Sequence, residues 1–114
     1  MILTAFLLAA AQPQSLAGFY RSNQMEIGAA LQLDPDGHFQ YQLDYGAVSE
    51  AAEGDWSSDG KTIYLTSKRM IGAYKEPEFV KQPLAIDDGR LMLRRYDTLI
   101  RFELEDLPAP PDKK

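Results

Sequence analysis

Residues 34–45 read DPDGHFQYQLDY, and this stretch decides the fold. Proline presets the backbone for a turn, and aspartate and glycine tolerate the conformations that a tight turn needs. From residue 38 to residue 45, apolar or aromatic side chains then alternate strictly with polar ones. A period of two gives a strand one buried face and one exposed face, and a helix cannot use it. The stretch therefore predicts a turn followed by an eight-residue strand.

The same Asp-Gly dipeptide recurs at residues 59–60 and 88–89, each time before a strand-like run. Asp-Gly between alternating apolar residues is the strongest short-range signal for a hairpin. About eight short strands result, turned every 8–12 residues or so, which is typical of an antiparallel meander barrel or a sandwich. We favour the barrel because closure removes exposed edges. The predicted strands are residues 18–21, 29–33, 38–45, 54–57, 61–67, 79–86, 90–96 and 99–104.

Three parts of the pattern are weaker. Residues 46–53 predict a loop with a mild helical tendency, and residues 68–78 predict a connecting loop with one apolar side. Pro83 cannot donate to a strand ladder, so it predicts an edge or a bulge. The apolar phase of the strands predicts a core of Leu31, Leu33, Phe39, Tyr41, Leu43, Trp56, Ile63, Leu65, Leu91, Leu93, Ile100 and Phe102.

The 114 residues predict one domain, flanked by two segments of other character. Residues 1–11 predict a signal peptide, because the apolar run is too short for a bilayer span and ends in a small-x-small pattern at residues 9–11. A buried first helix or strand is the alternative. Residues 12–106 form the expected β-domain, and residues 107–114 predict a disordered, proline-rich tail. We therefore expect a periplasmic or secreted protein that has no membrane span.

The charge pattern bears on partners. The formal net charge of −5 argues against nucleic acid or an anionic membrane surface. Residues 22–60 hold eight acids and no Lys or Arg, whereas residues 61–101 hold nine bases and five acids. Either the two halves pair as strands with opposite charges opposed, or the surface is bipolar and docks a partner.

Little in the chain predicts catalysis. With no cysteine and only His38, neither a Cys nucleophile nor a two-histidine metal site is possible. The sequence Asp34-Pro35-Asp36-Gly37 resembles a calcium loop, but the twelfth position holds Tyr45 instead of the closing Glu. Phosphate-binding loops and nucleophile elbows do not occur. We expect no enzyme activity, no catalytic residue, no metal and no cofactor.

The aromatic residues point to binding. Tyrosines in a core need partners for their hydroxyls, whereas tyrosines at a pocket can present them to a ligand. The alternative is that these rings only fill a small barrel, since eight strands are just wide enough for side chains. The candidate ligand-binding residues are Tyr41, Tyr45, Trp56, Tyr64 and Tyr96.

The segment 18–67 resembles a family of uncharacterised exported proteobacterial proteins. The resemblance rests on a Gly-Phe-Tyr start and, in order, on Asp-Gly-x-Phe-x-Tyr at 36–41, Tyr-Gly-Ala at 45–47 and Gly-Asp-Trp at 54–56. The start is also similar to the Gly-x-Trp opening of lipocalins and of small periplasmic barrels that inhibit metalloproteases. The resemblance implies a lipocalin-like β-domain.

Two functions remain as hypotheses. The first is a non-enzymatic domain that binds a small apolar or aromatic ligand or an envelope protein partner. The second is a periplasmic protease inhibitor whose extended mature start, residues 12–17 (QPQSLA), inserts into a protease cleft by main-chain contacts. A frayed chain end explains the same residues.

Overall fold

The structure is a computed structural model that describes residues 16–72 and 76–105. All eight strands pair antiparallel in chain order, and β1 pairs with β8, which closes a meander barrel and confirms the predicted fold. The predicted signal peptide and the proline-rich tail lie outside the described residues. The strands are β1 (Gly18–Gln24), β2 (Ile27–Leu33), β3 (His38–Tyr45), β4 (Val48–Ser58), β5 (Thr62–Ile71), β6 (Gln82–Asp87), β7 (Arg90–Arg95) and β8 (Thr98–Leu104).

The interior is a filled core of inward side chains. All twelve predicted core residues are buried. Buried apolar residues beyond the prediction are Tyr20, Ile27, Ala29, Ala52, Phe79 and Leu84.

The predicted loop at residues 46–53 is wrong, because β4 begins at Val48. Gly46, with φ +60°, helps make the turn instead. The inward positions of β4 then hold Glu50, Ala52 and Gly54 before Trp56. Three of these four side chains are charged, small or absent. Buried and exposed positions therefore alternate along β4, but the sequence does not show this as an alternation of apolar and polar residues.

The two ends of the barrel differ in their turns. The three Asp-Gly turns all lie at one end, which we call the Asp-Gly end, and Gly37, Gly60 and Gly89 adopt φ of +96°, +94° and +82° there. The opposite end carries the turns after β1, β3 and β7 and the longer connection between β5 and β6. The Asp-Gly signal therefore marks the turns of one end only.

The wall is irregular from β4 to β7. The β4–β5 register shifts between Glu53 and Gly54, which face Arg69 and Ser67, so Lys68 is the extra residue. β6 pairs with β5 only along residues 62–65, and β7 pairs with β6 only along residues 85–87. The ladders that join β6 to its two neighbours are therefore short. They leave a gap between β5 and β7 at the end opposite the Asp-Gly turns.

Residues 76–81, which we call the strap, lie over this gap. The amide of Ser67 donates to the carbonyl of Phe79 at 2.9 Å, and the amide of Lys81 donates to the Thr66 hydroxyl at 3.1 Å. The predicted strand start at Phe79 is wrong, because Lys81 has φ +51° and β6 begins at Gln82. Pro83 lies in the part of β6 that pairs with β5 alone, in keeping with an edge position.

Acids of the first half face bases of the second across β4 and β5. Glu53 lies opposite Arg69, and the Lys68 Nζ is 3.5 Å from a carboxylate oxygen of Asp55. These contacts favour strand pairing as the explanation of the segregated charge.

A side chain completes the β1–β8 seam. The strands share two ladder pairs, at Tyr20 and Arg21 of β1. Farther along, the Gln24 amide takes the place of a peptide group: its Nε2 donates to the Leu99 carbonyl at 3.2 Å, and its Oε1 accepts from the Arg101 amide at 2.7 Å.

Candidate ligand site at the opposite end of the barrel

A buried ion pair lies inside the barrel at the end opposite the Asp-Gly turns. Arg95 Nε is 2.6 Å from Glu50 Oε2, and Arg95 Nη2 is 3.1 Å from Glu50 Oε1. The two side chains are only 2% and 0% exposed. Two parallel bonds between a guanidinium and a carboxylate fix orientation as well as charge.

Two tyrosine hydroxyls complete the shell of the carboxylate. Tyr41 donates to Glu50 Oε2 and Tyr96 donates to Glu50 Oε1, each at 2.7 Å. Tyr96 and Asp97 both have positive φ, +55° and +58°, as a type I′ turn requires. Such a backbone is strained for tyrosine, and strain of this kind collects at functional sites.

These contacts keep the pair ionised. Burial acts to raise the pKa of Glu50, but hydrogen bonds from Arg95, Tyr41 and Tyr96 outweigh it and hold the pKa below its usual value. Burial acts to lower the pKa of Arg95, and the contact with Glu50 more than reverses this. Burial first, and then the neighbouring carboxylate, raise the pKa of Tyr41 far above its ordinary 10.0, so its hydroxyl remains a donor.

The strap inserts one ring against this cluster. Phe79 is 1% exposed although it belongs to no strand. Its ring centroid lies 4.9 Å from that of Tyr41, edge to face, and 4.8 Å from the guanidinium carbon of Arg95. Arg95 Nη1 also donates to the Pro77 carbonyl at 3.0 Å, and the Tyr96 amide donates to Glu76 Oε2 at 3.1 Å. The strap is thus fixed to Arg95 by a ring contact and one hydrogen bond, and to the neighbouring Tyr96 by a second hydrogen bond.

Three of the five predicted ligand-binding residues converge at this end. Tyr41 and Tyr96 contact Glu50, and the ring of Tyr45 lies 6.4 Å from that of Tyr96 in a T-shaped pair. Tyr41 is fully buried, whereas Tyr45 and Tyr96 are half-buried. That these rings bind a ligand stays a prediction.

The other two lie elsewhere. Trp56 is buried at the Asp-Gly end, where its Nε1 donates to the Asp34 carbonyl at 2.8 Å. The Tyr64 hydroxyl donates to Asp59 Oδ2 at 3.2 Å on an exposed part of the wall. Neither residue is part of the cluster around Glu50.

The sequence prediction missed Glu50, Arg95 and Phe79 as site residues. Arg95 could have been predicted as an inward residue, because it occupies the next inward position after Leu91 and Leu93. Glu50 can be recognised as an inward residue only if β4 is first predicted to be a strand. Phe79 gives no periodic signal, since it lies in an irregular segment.

A shallow groove of about 320 Å³ lies on the outer wall of β1–β5. Its lining mixes small and amide side chains with two apolar ones, Phe19 and Ile71, and Ile71 is 58% exposed. Glu53 and Arg69 bring one charge of each sign. Tyr41, whose hydroxyl binds Glu50, also contributes to the lining of the groove, so one residue is shared by the groove and the cluster around the ion pair.

Other chemistries find no support in the part of the chain that is described. His38 is exposed and lies 3.2 Å from Asp36. No group of three or more metal-ligating side chains is close enough to hold an ion among these residues. None of the described segments is a helix of the length and apolarity that crossing a bilayer requires. Comparison with family models, curated proteins and solved structures gave no match.

We expect stability to fall on acidification. The pKa of Glu50 is lowered in the folded protein, so its contribution is present above the ordinary value of 4.5 and is lost as pH falls through the folded value. Hydrogen bonds, chiefly from backbone amides, also lower the pKa of the exposed Asp36 and Asp59. Urea unfolding between pH 7 and pH 2 measures the loss.

The exposed carboxyls supply the control. The variant in which Asn replaces both Asp36 and Asp59 should still lose stability on acidification. We expect this remaining loss to come from protonation of Glu50. A stability of this double variant that does not change below about pH 4.5 would contradict the assignment, since a paired carboxylate must be protonated there.

Proposed function

We propose that the protein is a non-enzymatic binding domain, exported to the periplasm or secreted, that takes a small apolar or aromatic ligand at the end of the barrel around Glu50 and Arg95. The observation that carries the proposal is the insertion of Phe79, from outside the strand network, against Tyr41 and Arg95. Displacing one ring would make an aromatic site lined by polar anchors, as ligand sites commonly are.

The cost of the ion pair supports a binding role. A buried pair often stabilises a fold no better than apolar residues of the same volume would. An eight-stranded barrel can be filled by apolar side chains alone. The combination of Glu50, Arg95 and two tyrosine hydroxyls is therefore more than the fold needs, and convergent polar groups of this kind mark functional sites.

Replacing Phe79 by Ala should create binding for a neutral aromatic dye. N-phenyl-1-naphthylamine, whose fluorescence rises in apolar surroundings, is a suitable probe. We expect the F79A variant to bind it with an affinity at least about tenfold above wild type, because the internal competitor is gone. Val80→Ala is the matched control, since Val80 is the next residue and is 78% exposed.

Equal dye binding by the F79A variant and wild type would contradict the proposal. Because removing a buried Phe costs about 3–5 kcal/mol, circular dichroism must show that the variant is folded. Phe79→Leu, which removes the ring but keeps apolar volume, gives a second variant of smaller stability cost.

A protein partner is the second candidate, and the outer groove favours it. Phe19 and Ile71 offer apolar contact, and Glu53 and Arg69 offer opposite charges beside it. Native mass spectrometry of the protein from a periplasmic extract separates the two, because a small co-purifying mass supports the barrel-end site and a protein mass supports the groove. Protease inhibition through residues 12–17 stays a prediction, and residues 12–15 of that segment lie outside the described residues. The lipocalin-like family resemblance also stays a prediction.

A further inference from the structure

We infer that the strap copies the ligand of the proposed site, and that this ligand is an uncharged molecule that combines an aromatic ring with a carbonyl-type acceptor. The inference rests on the proposed function and adds the chemical class of the ligand. Two groups of the strap define it: the ring of Phe79 and the carbonyl of Pro77.

We expect the ligand group that replaces the Phe79 ring to be aromatic as well. Its neighbours include the Arg95 guanidinium at 4.8 Å, the edge-to-face ring of Tyr41 at 4.9 Å and the tilted ring of Phe39 at 6.3 Å. A guanidinium is attracted to the face of an aromatic ring, and edge-to-face rings gain beyond the area that they bury. An aliphatic group of the same volume would lose both interactions.

We expect the ligand to carry an acceptor that replaces the Pro77 carbonyl. It accepts from Arg95 Nη1 at 3.0 Å. If the strap moves away, this donor needs a new partner, since an unsatisfied buried donor is costly. A carbonyl or ether oxygen of the ligand can take that place.

The surrounding charges require the acceptor to be neutral. Arg95 is already neutralised by two bonds to Glu50, and Glu76 lies close by on the Tyr96 amide. The hydroxyls of Tyr41 and Tyr96 both donate to Glu50 and carry no charge. A ligand carboxylate would face Glu50, and a ligand ammonium would face Arg95, so either charge is penalised where the dielectric is low.

Displacement of the strap would break no strand pair. The bonds that it would break are those to Ser67 and Thr66 of β5 and those to Arg95 and Tyr96, and the ligand replaces the contacts with Arg95. Lys81 has a left-handed backbone, φ +51°, and Val80 is 78% exposed. Segments with few main-chain bonds and exposed apolar groups belong to the low-stability end of a fold.

The test uses a probe taken from the chain itself. Acetyl-Gly-Phe-amide reproduces the spacing from the Pro77 carbonyl, across one residue, to the Phe79 ring. We expect it to bind the F79A variant with an affinity at least about tenfold above wild type, as removal of an internal competitor requires. In amide NMR spectra, residues 80 and 81 and the Arg95 side chain should shift, whereas Phe19 and Ala30 of the outer groove should not.

Three related probes decide the ligand class. Acetyl-Gly-Ala-amide lacks the ring, Gly-Phe-amide replaces the carbonyl by a cationic amine, and acetyl-Gly-Phe carries a carboxylate. Each should bind the F79A variant at least about tenfold more weakly, a difference that corresponds to about 1.4 kcal/mol. Equal affinity of any of them overturns the inference.

The dye experiment distinguishes failure of the proposed binding site from failure of the inferred ligand class. If N-phenyl-1-naphthylamine binds the F79A variant but acetyl-Gly-Phe-amide does not, the binding site stands and the ligand class is wrong. If neither probe binds the folded F79A or F79L variant, the site itself is wrong. The V80A variant should behave as wild type with every probe.

Discussion

Replacing Glu50 by Gln should lower the free energy of unfolding by about 3–5 kcal/mol, because it leaves the Arg95 guanidinium buried without its counter-charge. Arg95 is 2% exposed, so water cannot take over the role of the carboxylate. The hydroxyls of Tyr41 and Tyr96 lose their charged acceptor in the same step. Since domains of this size are stable by about 5–15 kcal/mol, the variant should lose much of its margin. Urea unfolding with a constant m-value measures the change.

A double variant at Glu50 and Arg95 distinguishes the cost of an unpaired buried charge from the net contribution of the ion pair to stability. Replacing Glu50 by Gln and Arg95 by Met together removes both charges, and we expect it to regain most of the lost stability, since uncharged pairs often replace buried ion pairs at little cost. Lys68→Met, which breaks the exposed contact with Asp55, should cost under about 1 kcal/mol. A double variant as unstable as the E50Q variant would contradict this account.

Recovery in the double variant would bear directly on function. If the fold is as stable without the charges, then stability does not explain why they are there. Their remaining role is at the strap, where Arg95 binds the Pro77 carbonyl and the face of Phe79. The stability test thus supports or weakens the proposed binding site.

The sequence predicts strands well where the inward phase is apolar. In β3, β7 and β8 most inward positions hold an aromatic or aliphatic side chain, so the period of two is plain. In β4 the inward phase holds Glu50, Ala52 and Gly54, and the pattern cannot be told from a loop. Phe79 is buried without a strand, so an apolar residue was assigned to the wrong element.

The candidate site is harder to predict, because it depends on register between distant strands. Glu50 and Arg95 are 45 residues apart in the chain and meet only when the barrel closes. Aromatic content identified Tyr41, Tyr45 and Tyr96 as candidates, but it cannot tell which end of a barrel a ring occupies. For this reason the sequence also predicts Trp56 and Tyr64 as ligand-binding residues, although both lie away from Glu50.

Replacing Gly54 by Ala should lower the free energy of unfolding by about 3 kcal/mol or more, beyond the usual cost of overpacking. A Cβ at this position would lie 2.1 Å from the Thr66 carbonyl oxygen and 2.8 Å from the Ser67 Cα. Both are main-chain atoms of β5, so no side chain can rotate away. The bulge would have to rearrange, and with it the part of β5 that leaves β6 and receives the strap.

Gly28→Ala is the matched control, because its Cβ would meet nothing within 4 Å. The loss of unfolded-chain entropy should make that variant as stable as wild type or stabilise it by up to about 1 kcal/mol. If Gly54 sets the bulge, amide NMR should show shifts at residues 79–81 in the G54A variant and none there in the G28A variant. Equal stability of the two variants would show that the β4–β5 bulge tolerates a side chain.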